Sequence, residues 1–205
     1  MSHTPGVRQA QKQKTRQALL DAALELLGDQ SLSSLGLREV TRAVGITPTA
    51  FYRHFDSTAD LGVALVEEAL GSLHEMIATV LTTTGSNAER FEQTVELIAR
   101  HVRTYPSHVR FIARERYGGV QRVREAIGGQ LARFAEEVTE GLAADPESAG
   151  WSRDDLEMLA WHHVQHMLAT ACAFLETPPD RMDAAIDLAT RQLRLVHLGR
   201  THWLD

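Results

Sequence analysis

The sequence predicts an all-α fold of nine helices. Two observations carry this. Apolar residues recur at spacings of three and four along most of the chain, and no segment alternates as a half-buried strand would. The connections between the periodic stretches are short and marked by Gly45, Pro106, Gly118–Gly119 and Pro178–Pro179. There is no internal repeat and no low-complexity tract.

Residues 1–10 read as a disordered arm. On the first helix Leu19, Ala23, Leu26 and Leu27 face inward, and Gly28 helps to end it. Val40, Ala43 and Val44 give the second helix its apolar side. Gly45 then supplies the backbone freedom of a tight turn. Thr47 followed by Pro48 reads as an N-cap and a first helical position, so a third helix starts there and runs to Phe55. A long fourth helix from about Thr58 carries Val66, Leu70, Leu73, Ile77 and Val80 and stops before Gly85. Phe91, Val95, Ile98, Val102 and Tyr105 make the next stripe. Pro106 breaks it, and a short helix follows to Arg116. Val120, Val123, Ile127, Leu131, Phe134, Val138 and Leu142 form another stripe, ahead of a loop at residues 145–150. Two final helices, about 152–175 and 179–198, close the chain.

The second and third helices with their glycine turn make a helix-turn-helix. Phe51 and Phe55 are four apart and anchor the third helix by their shared side. Thr49, Tyr52 and Arg53 fall on the opposite, exposed side, which makes this helix a reader of DNA. Thr47, Thr49 and Tyr52 are the candidates to meet base edges or thymine methyls, and Pro48 belongs to the same DNA-binding stretch. Arg38, Tyr52 and His54 are candidates for phosphates, with Arg16 and the Thr15 hydroxyl helping. Arg53 either joins them or pairs with Asp56 or Glu39.

The formal charge of −6 argues at first against a nucleic-acid partner, but its distribution reverses that. Residues 1–56 hold seven basic and five acidic side chains, the rest fourteen and twenty-two. Arg8, Lys12, Lys14 and Arg16 stand in a leading stretch with no acid, and Lys12 and Lys14 are the only lysines of the chain. A cationic arm on an acidic body marks local contact with a polyanion. The single cysteine, Cys172, excludes an intramolecular disulfide and fits a reducing cytoplasm. No signal peptide or membrane-spanning run is present, so no membrane partner is expected.

Residues 15–70 resemble the DNA-binding domain of the TetR family of bacterial repressors. The likeness rests on Thr15–Arg16, Leu19, Ala22–Ala23, Leu26–Leu27, Leu37–Val40, Gly45–Ile46, Phe51–Phe55 and Leu61, in that order. Three strings are similar to the branch of that family that represses unsaturated fatty-acid synthesis, the FabR/DesT-like regulators. These are Leu35–Val40, Pro48–Phe55 and Ala113–Gly119. Two positions depart from the family. Gly36 stands where a Ser or Thr cap is usual, with Glu39 able to reach back to its N–H. Asp56–Ser57–Thr58 stands where many relatives have a lysine, with Ser57 and Asp60 as the remaining cap.

The resemblance implies a helix-turn-helix domain at 11–56, a ligand-binding and dimerisation domain at 57–205, and Tyr52 and His54 as DNA contacts. It implies a palindromic operator and, as effector, a long-chain acyl thioester on coenzyme A or acyl carrier protein. Phe91, Val95, Ile98, Val102, Phe111, Leu131, Phe134, Trp161 and Leu168 would line its tunnel, unless these stripes are plain core. Arg114 and Arg116 would meet a thioester or phosphate, or instead pair internally with Glu115 and other acids. The last two helices are the expected homodimer interface, through Leu156, Leu159, His163, His166, Thr170, Ala184, Leu188 and Leu195.

Rival readings are a TetR-type repressor answering another hydrophobic molecule, such as one controlling an efflux pump, and an all-α lipid carrier. The carrier leaves the exposed side of residues 47–54 unexplained. His162 and His166 have the spacing of two metal ligands, but no third ligand is evident and no metal is expected. The chain shows no phosphate loop, nucleophile elbow or paired-cysteine site, so no enzymatic activity is expected.

Overall fold

The computed structural model describes residues 5–71, 73–82 and 85–204, with the side chains of Pro5 and Gly6 outside that description. The described residues are helical with no strand. In order, the helices are α1 (Pro5–Leu26), α2 (Leu37–Val44), α3 (Pro48–Phe51), α4 (Thr58–Gly71) and α5 (Leu73–Thr82), then α6 (Asn87–Thr104), α7 (Pro106–Glu115), α8 (Gln121–Ala143), α9 (Arg153–Glu176) and α10 (Met182–Thr201). Among the described residues there are ten α-helical segments, and the expected fourth helix, from about Thr58 to before Gly85, spans α4 and α5 with Ser72, Thr83 and Thr84 outside the described residues. Among these residues no helix is long and apolar enough to cross a membrane.

One expectation changes. The arm expected to be disordered is helical from Pro5 onward, while residues 1–4 lie outside the description. Proline suits the first helical position, and the run from Gln9 to Lys14 consists of good helix formers. The described residues divide into two compact units. One takes in the chain to Ala69 together with Arg110–Ile127, and a second holds Leu70–Val109 and Gly128–Asp205. The first unit includes Leu61 and Leu65, both fully buried, and Gly62, whose added methyl would run into the Leu32 and Val123 side chains.

In the first unit Leu19, Ala23, Leu27, Val40, Phe51, Phe55, Leu61, Leu65, Phe111 and Val123 are buried. On α2 the inward side is Val40 with Thr41, whose hydroxyl donates to the Leu37 carbonyl at 3.0 Å, while Ala43 faces solvent. In the second unit α6 packs on α9 and α10. Val95, Ile98, Ala99 and Val102 of α6 close against Phe174, Ala189 and Leu193, with Phe91 and Met167 at the margin. A second cluster joins Leu142 of α8 to Leu156, Leu159 and Ala160 of α9. Arg200 of α10, nearly enclosed, binds Asp145 at 3.2 Å and the Ser148 hydroxyl at 2.6 Å, tying the loop after α8 to the last helix.

Candidate nucleic-acid interface

The reading element is built by local chemistry. Gly45 sits at φ +73°, where a side chain would be strained, and turns the chain out of α2. Thr47 is extended and its hydroxyl accepts the Ala50 N–H at 3.3 Å, so α3 starts at Pro48 as its spacing predicts. The α-helix proper lasts only to Phe51. Residues 52–54 continue as tighter turns, with Arg53 N–H donating to the Ala50 carbonyl and His54 N–H to the Phe51 carbonyl. Phe51 and Phe55 are buried with ring centroids 5.6 Å apart. Tyr52 stands edge-on to Phe51 and is 57 % exposed.

The neighbouring caps hold as the sequence suggests. Gly36 N–H donates to the Glu39 carboxylate at 3.0 Å, half of a capping box, because glycine has no side chain to return the bond. Ser57 donates to Asp60 at 2.7 Å and accepts its N–H at 3.1 Å.

These elements gather the cationic candidates. The Arg16 guanidinium lies 4.3 Å over the Phe55 ring, which fixes α1 against the end of the reading element. Burial lowers the His54 pKa, and the charges of Lys12, Arg16 and Arg53 lower it further. The His54 Nδ1 is buried and unpartnered among the described residues. Lys12, Lys14, Arg38, Thr47, Pro48, Thr49, Tyr52 and Arg53 are all exposed. Thr15 donates its hydroxyl to the Gln11 carbonyl at 3.1 Å. Glu39 is taken by Gly36, and among the described residues Arg53 makes no ion pair, which leaves it free for an anion. Such a cluster beside an exposed tyrosine can clamp a phosphate while Thr49 and Tyr52 face the groove.

The candidates in the body distribute differently. Val95, Ile98 and Val102 belong to the α6–α9–α10 core. Leu131 and Phe134 are buried on α8, and Phe134 meets His74 edge-on at 4.6 Å. His74 in turn pairs with Glu137. Trp161 is 42 % exposed and Leu168 half-buried. Phe111, Arg114 and Arg116 lie in the first unit. The Arg114 guanidinium donates to the carbonyls of Leu27, Gln30 and Gly28, and that of Arg116 lies 4.7 Å over the Tyr117 ring. The expected lining is thus divided, and Arg114 is engaged by backbone rather than offered to a ligand. A groove of about 460 Å³ between α5 and α6 has a different lining, with Thr79, Val80, Glu92, Glu96, Leu97 and Arg100.

The expected dimer residues divide too. Leu156, Leu159 and Thr170 are buried within the chain. His163 also faces inward, and burial, helped by His162, His166 and Arg200, pushes its pKa down to about 4, so it packs as neutral imidazole. His166 is half-buried, its ring stacked on His162. Among the described residues no group of three or more His, Cys, Asp or Glu could hold a metal. Ala184, Leu188 and Leu195 are exposed on α10. Met158 and Trp161 of α9 and Leu198 of α10 are exposed as well. Met158, Trp161, Gln165, Leu168 and Cys172 follow one another at three and four, so a second helical phase could have shown them.

Residues 19–65 match the model of the bacterial regulatory proteins of the tetR family. The matched segment is the helix-turn-helix region, which is similar to the DNA-binding part of that family. Solved structures share its fold at low identity. A TetR-like transcriptional regulator from Rhodococcus sp. RHA1 is 19 % identical with a TM-score of 0.67, over 90 % of this chain and 96 % of that one. FadR from Bacillus subtilis, solved with stearoyl-CoA, is 15 % identical with a TM-score of 0.65, over 88 % and 97 %. AibR, solved with isovaleryl coenzyme A and operator DNA, is 15 % identical with a TM-score of 0.64, over 87 % and 97 %.

Proposed function

We propose that this regulator is a homodimeric repressor of fatty-acid synthesis genes, those for unsaturated chains in particular. Its operator affinity is set by long-chain acyl thioesters on coenzyme A or acyl carrier protein. The observation that carries the DNA reading is the gathering of Lys12, Arg16 and Arg53 around His54, beside exposed Thr49 and Tyr52. The acyl reading is supported by the Leu35–Val40, Pro48–Phe55 and Ala113–Gly119 strings and by two structural relatives solved with acyl-CoA. Each buried methylene contributes roughly 0.8 kcal/mol, so a lining that fits a bent chain can discriminate it from a straight one. An unsaturated chain favours the DNA-bound state and a saturated one opposes it, which requires each to bind the two states unequally.

The partner that completes the molecule is a second copy. Leu188 and Leu195 of α10 are 52 % and 69 % exposed, and Met158, Trp161 and Leu198 are exposed with them. These residues lie on the sides of α9 and α10 that do not close over α6. Two such helix pairs form a four-helix bundle, and its two-fold axis presents two reading elements to major grooves about 34 Å apart.

A second reading, a repressor answering a different hydrophobic molecule, draws on the packing of α6. Val95, Ile98 and Val102 are closed over by Phe174, Ala189 and Leu193, and the α5–α6 groove carries Glu92, Glu96 and Arg100. One binding assay tests both halves of the proposal, on a duplex that the protein itself selects from a random-sequence pool. Replacing Lys12 and Lys14 with Ala is expected to flatten the log–log salt dependence by roughly one to two units. Oleoyl-CoA is expected to tighten binding, and palmitoyl-CoA to weaken it, by about fivefold or more. An unchanged slope removes the arm from the interface, and indifference to every acyl thioester overturns the lipid reading.

A further inference from the structure

The link between α1 and α2, residues 27–36, is the longest irregular stretch in the helix-turn-helix region, and side chains from the end of α7 bind its backbone. Three of its carbonyls receive one guanidinium. Arg114 Nη1 donates to the Leu27 carbonyl at 2.7 Å and to the Gln30 carbonyl at 2.5 Å, and Nη2 donates to the Gly28 carbonyl at 3.1 Å. These acceptors lie just past the end of α1, where helix carbonyls lack partners and a cation is favoured. The next residue acts on the middle of the link. Glu115, 1 % exposed, accepts the Leu32 N–H on Oε1 at 2.9 Å.

Leu32 is itself a junction. It is 2 % exposed, and a methyl group on Gly62 of α4 would collide with its side chain and with Val123 of α8. The turn after α7 folds back over the carboxylate. Gly118 N–H donates to the Glu115 carbonyl at 3.0 Å, Arg124 donates to the Gly118 carbonyl at 2.5 Å, and a side chain at Gly118 would strike Glu115 Oε2. All of these residues belong to the first compact unit.

We infer that Arg114 and Glu115 are positioning residues for sequence recognition: together they set where α2, and through it α3, stands relative to α1. The basic cluster is assembled from both sides of that link, with Lys12 and Arg16 on α1 and Arg53 and His54 after α3. A shift of the link therefore separates the phosphate clamp on α1 from the base-reading side chains of α3. Non-specific attraction needs only charge and survives such a shift, whereas base readout needs register and does not. A guanidinium can serve the three carbonyls at once because its donors are fixed in a planar fork, and a lysine ammonium cannot reproduce that arrangement.

The inference rests on the DNA-binding reading, and its experiment separates the two. The full-length protein selects duplexes from a random-sequence pool. Arg114→Ala, Arg114→Lys and Glu115→Ala are then compared with it on the selected duplex and on an unselected one at low salt, with circular dichroism as the check on folding. The variants are expected to bind unselected DNA within about twofold of the parent and to lose roughly ten- to hundredfold on the selected duplex, the scale of one or two lost base contacts. Arg114→Lys should fall between Arg114→Ala and the parent. If Arg114→Ala does not fold, Arg114→Lys decides by the same ratio. Selected-site affinity within twofold of the parent overturns the inference, as does a parallel loss on both duplexes by a folded variant. A parent protein that selects no sequence overturns the DNA-binding reading instead.

Discussion

Replacing Leu195 with glutamate is expected to turn the proposed dimer into a 22.7 kDa monomer that no longer holds its operator. Leu195 is 69 % exposed in the single chain, so the monomer itself should be as stable as the parent, within about 0.5 kcal/mol. Between two copies the same carboxylate sits on an apolar face beside Leu188 and Leu198. Desolvating a charge there costs several kcal/mol, and two-fold symmetry counts it twice. An expected penalty of about 4 kcal/mol or more raises the dimer dissociation constant roughly a thousandfold. Light scattering on the eluting protein checks it, with a duplex-binding assay alongside. A Leu195→Glu protein that still elutes as a dimer would place the interface elsewhere.

The second large effect separates folding from reading at adjacent residues. Phe51 is fully buried, and truncating it to alanine should cost about 3–5 kcal/mol, enough to melt the helix-turn-helix near ambient temperature. Tyr52 is 57 % exposed and touches Phe51 only edge-on at 5.7 Å. Its replacement by alanine should cost about 1 kcal/mol of stability at most. On DNA the order is different. Tyr52→Ala removes one contact from each of two reading elements, each worth about 1–3 kcal/mol, so operator affinity falls at least tenfold in a protein that melts almost normally. Thermal melts followed by binding isotherms distinguish the two variants. Equal binding by Tyr52→Ala and the parent would take the phenol out of the interface.

The reading element was legible in the sequence because its determinants are local. Gly45 demands a left-handed turn, Thr47 and Pro48 start a helix wherever they stand, and Phe51 with Phe55 orient it. The gathering of charge around His54 is half local. Lys12 and Arg16 are four apart on one helix, but their meeting with Arg53 depends on the fold. Arg114 lies 84 to 87 positions from the carbonyls it serves, and no spacing rule connects them.

Which side of α9 turns inward is less legible, for a different reason. On α9 the phase of Leu156, Leu159 and Thr170 and that of Met158 and Trp161 are both apolar. Which of them turns inward is decided by α6, α8 and α10, not by α9 itself. Periodicity identifies an amphipathic helix well and a doubly apolar one poorly. The leading arm erred the other way. Exposed polar residues suggested disorder, where good helix formers behind Pro5 extend α1.

The most direct test of the account is the sequence that the full-length protein enriches from a pool of random duplexes. A two-fold symmetric motif is predicted, its half-sites centred about 10 base pairs apart or a multiple of that spacing, as paired reading elements on one face of the helix require. Enrichment of a single asymmetric half-site, or of nothing, would contradict it.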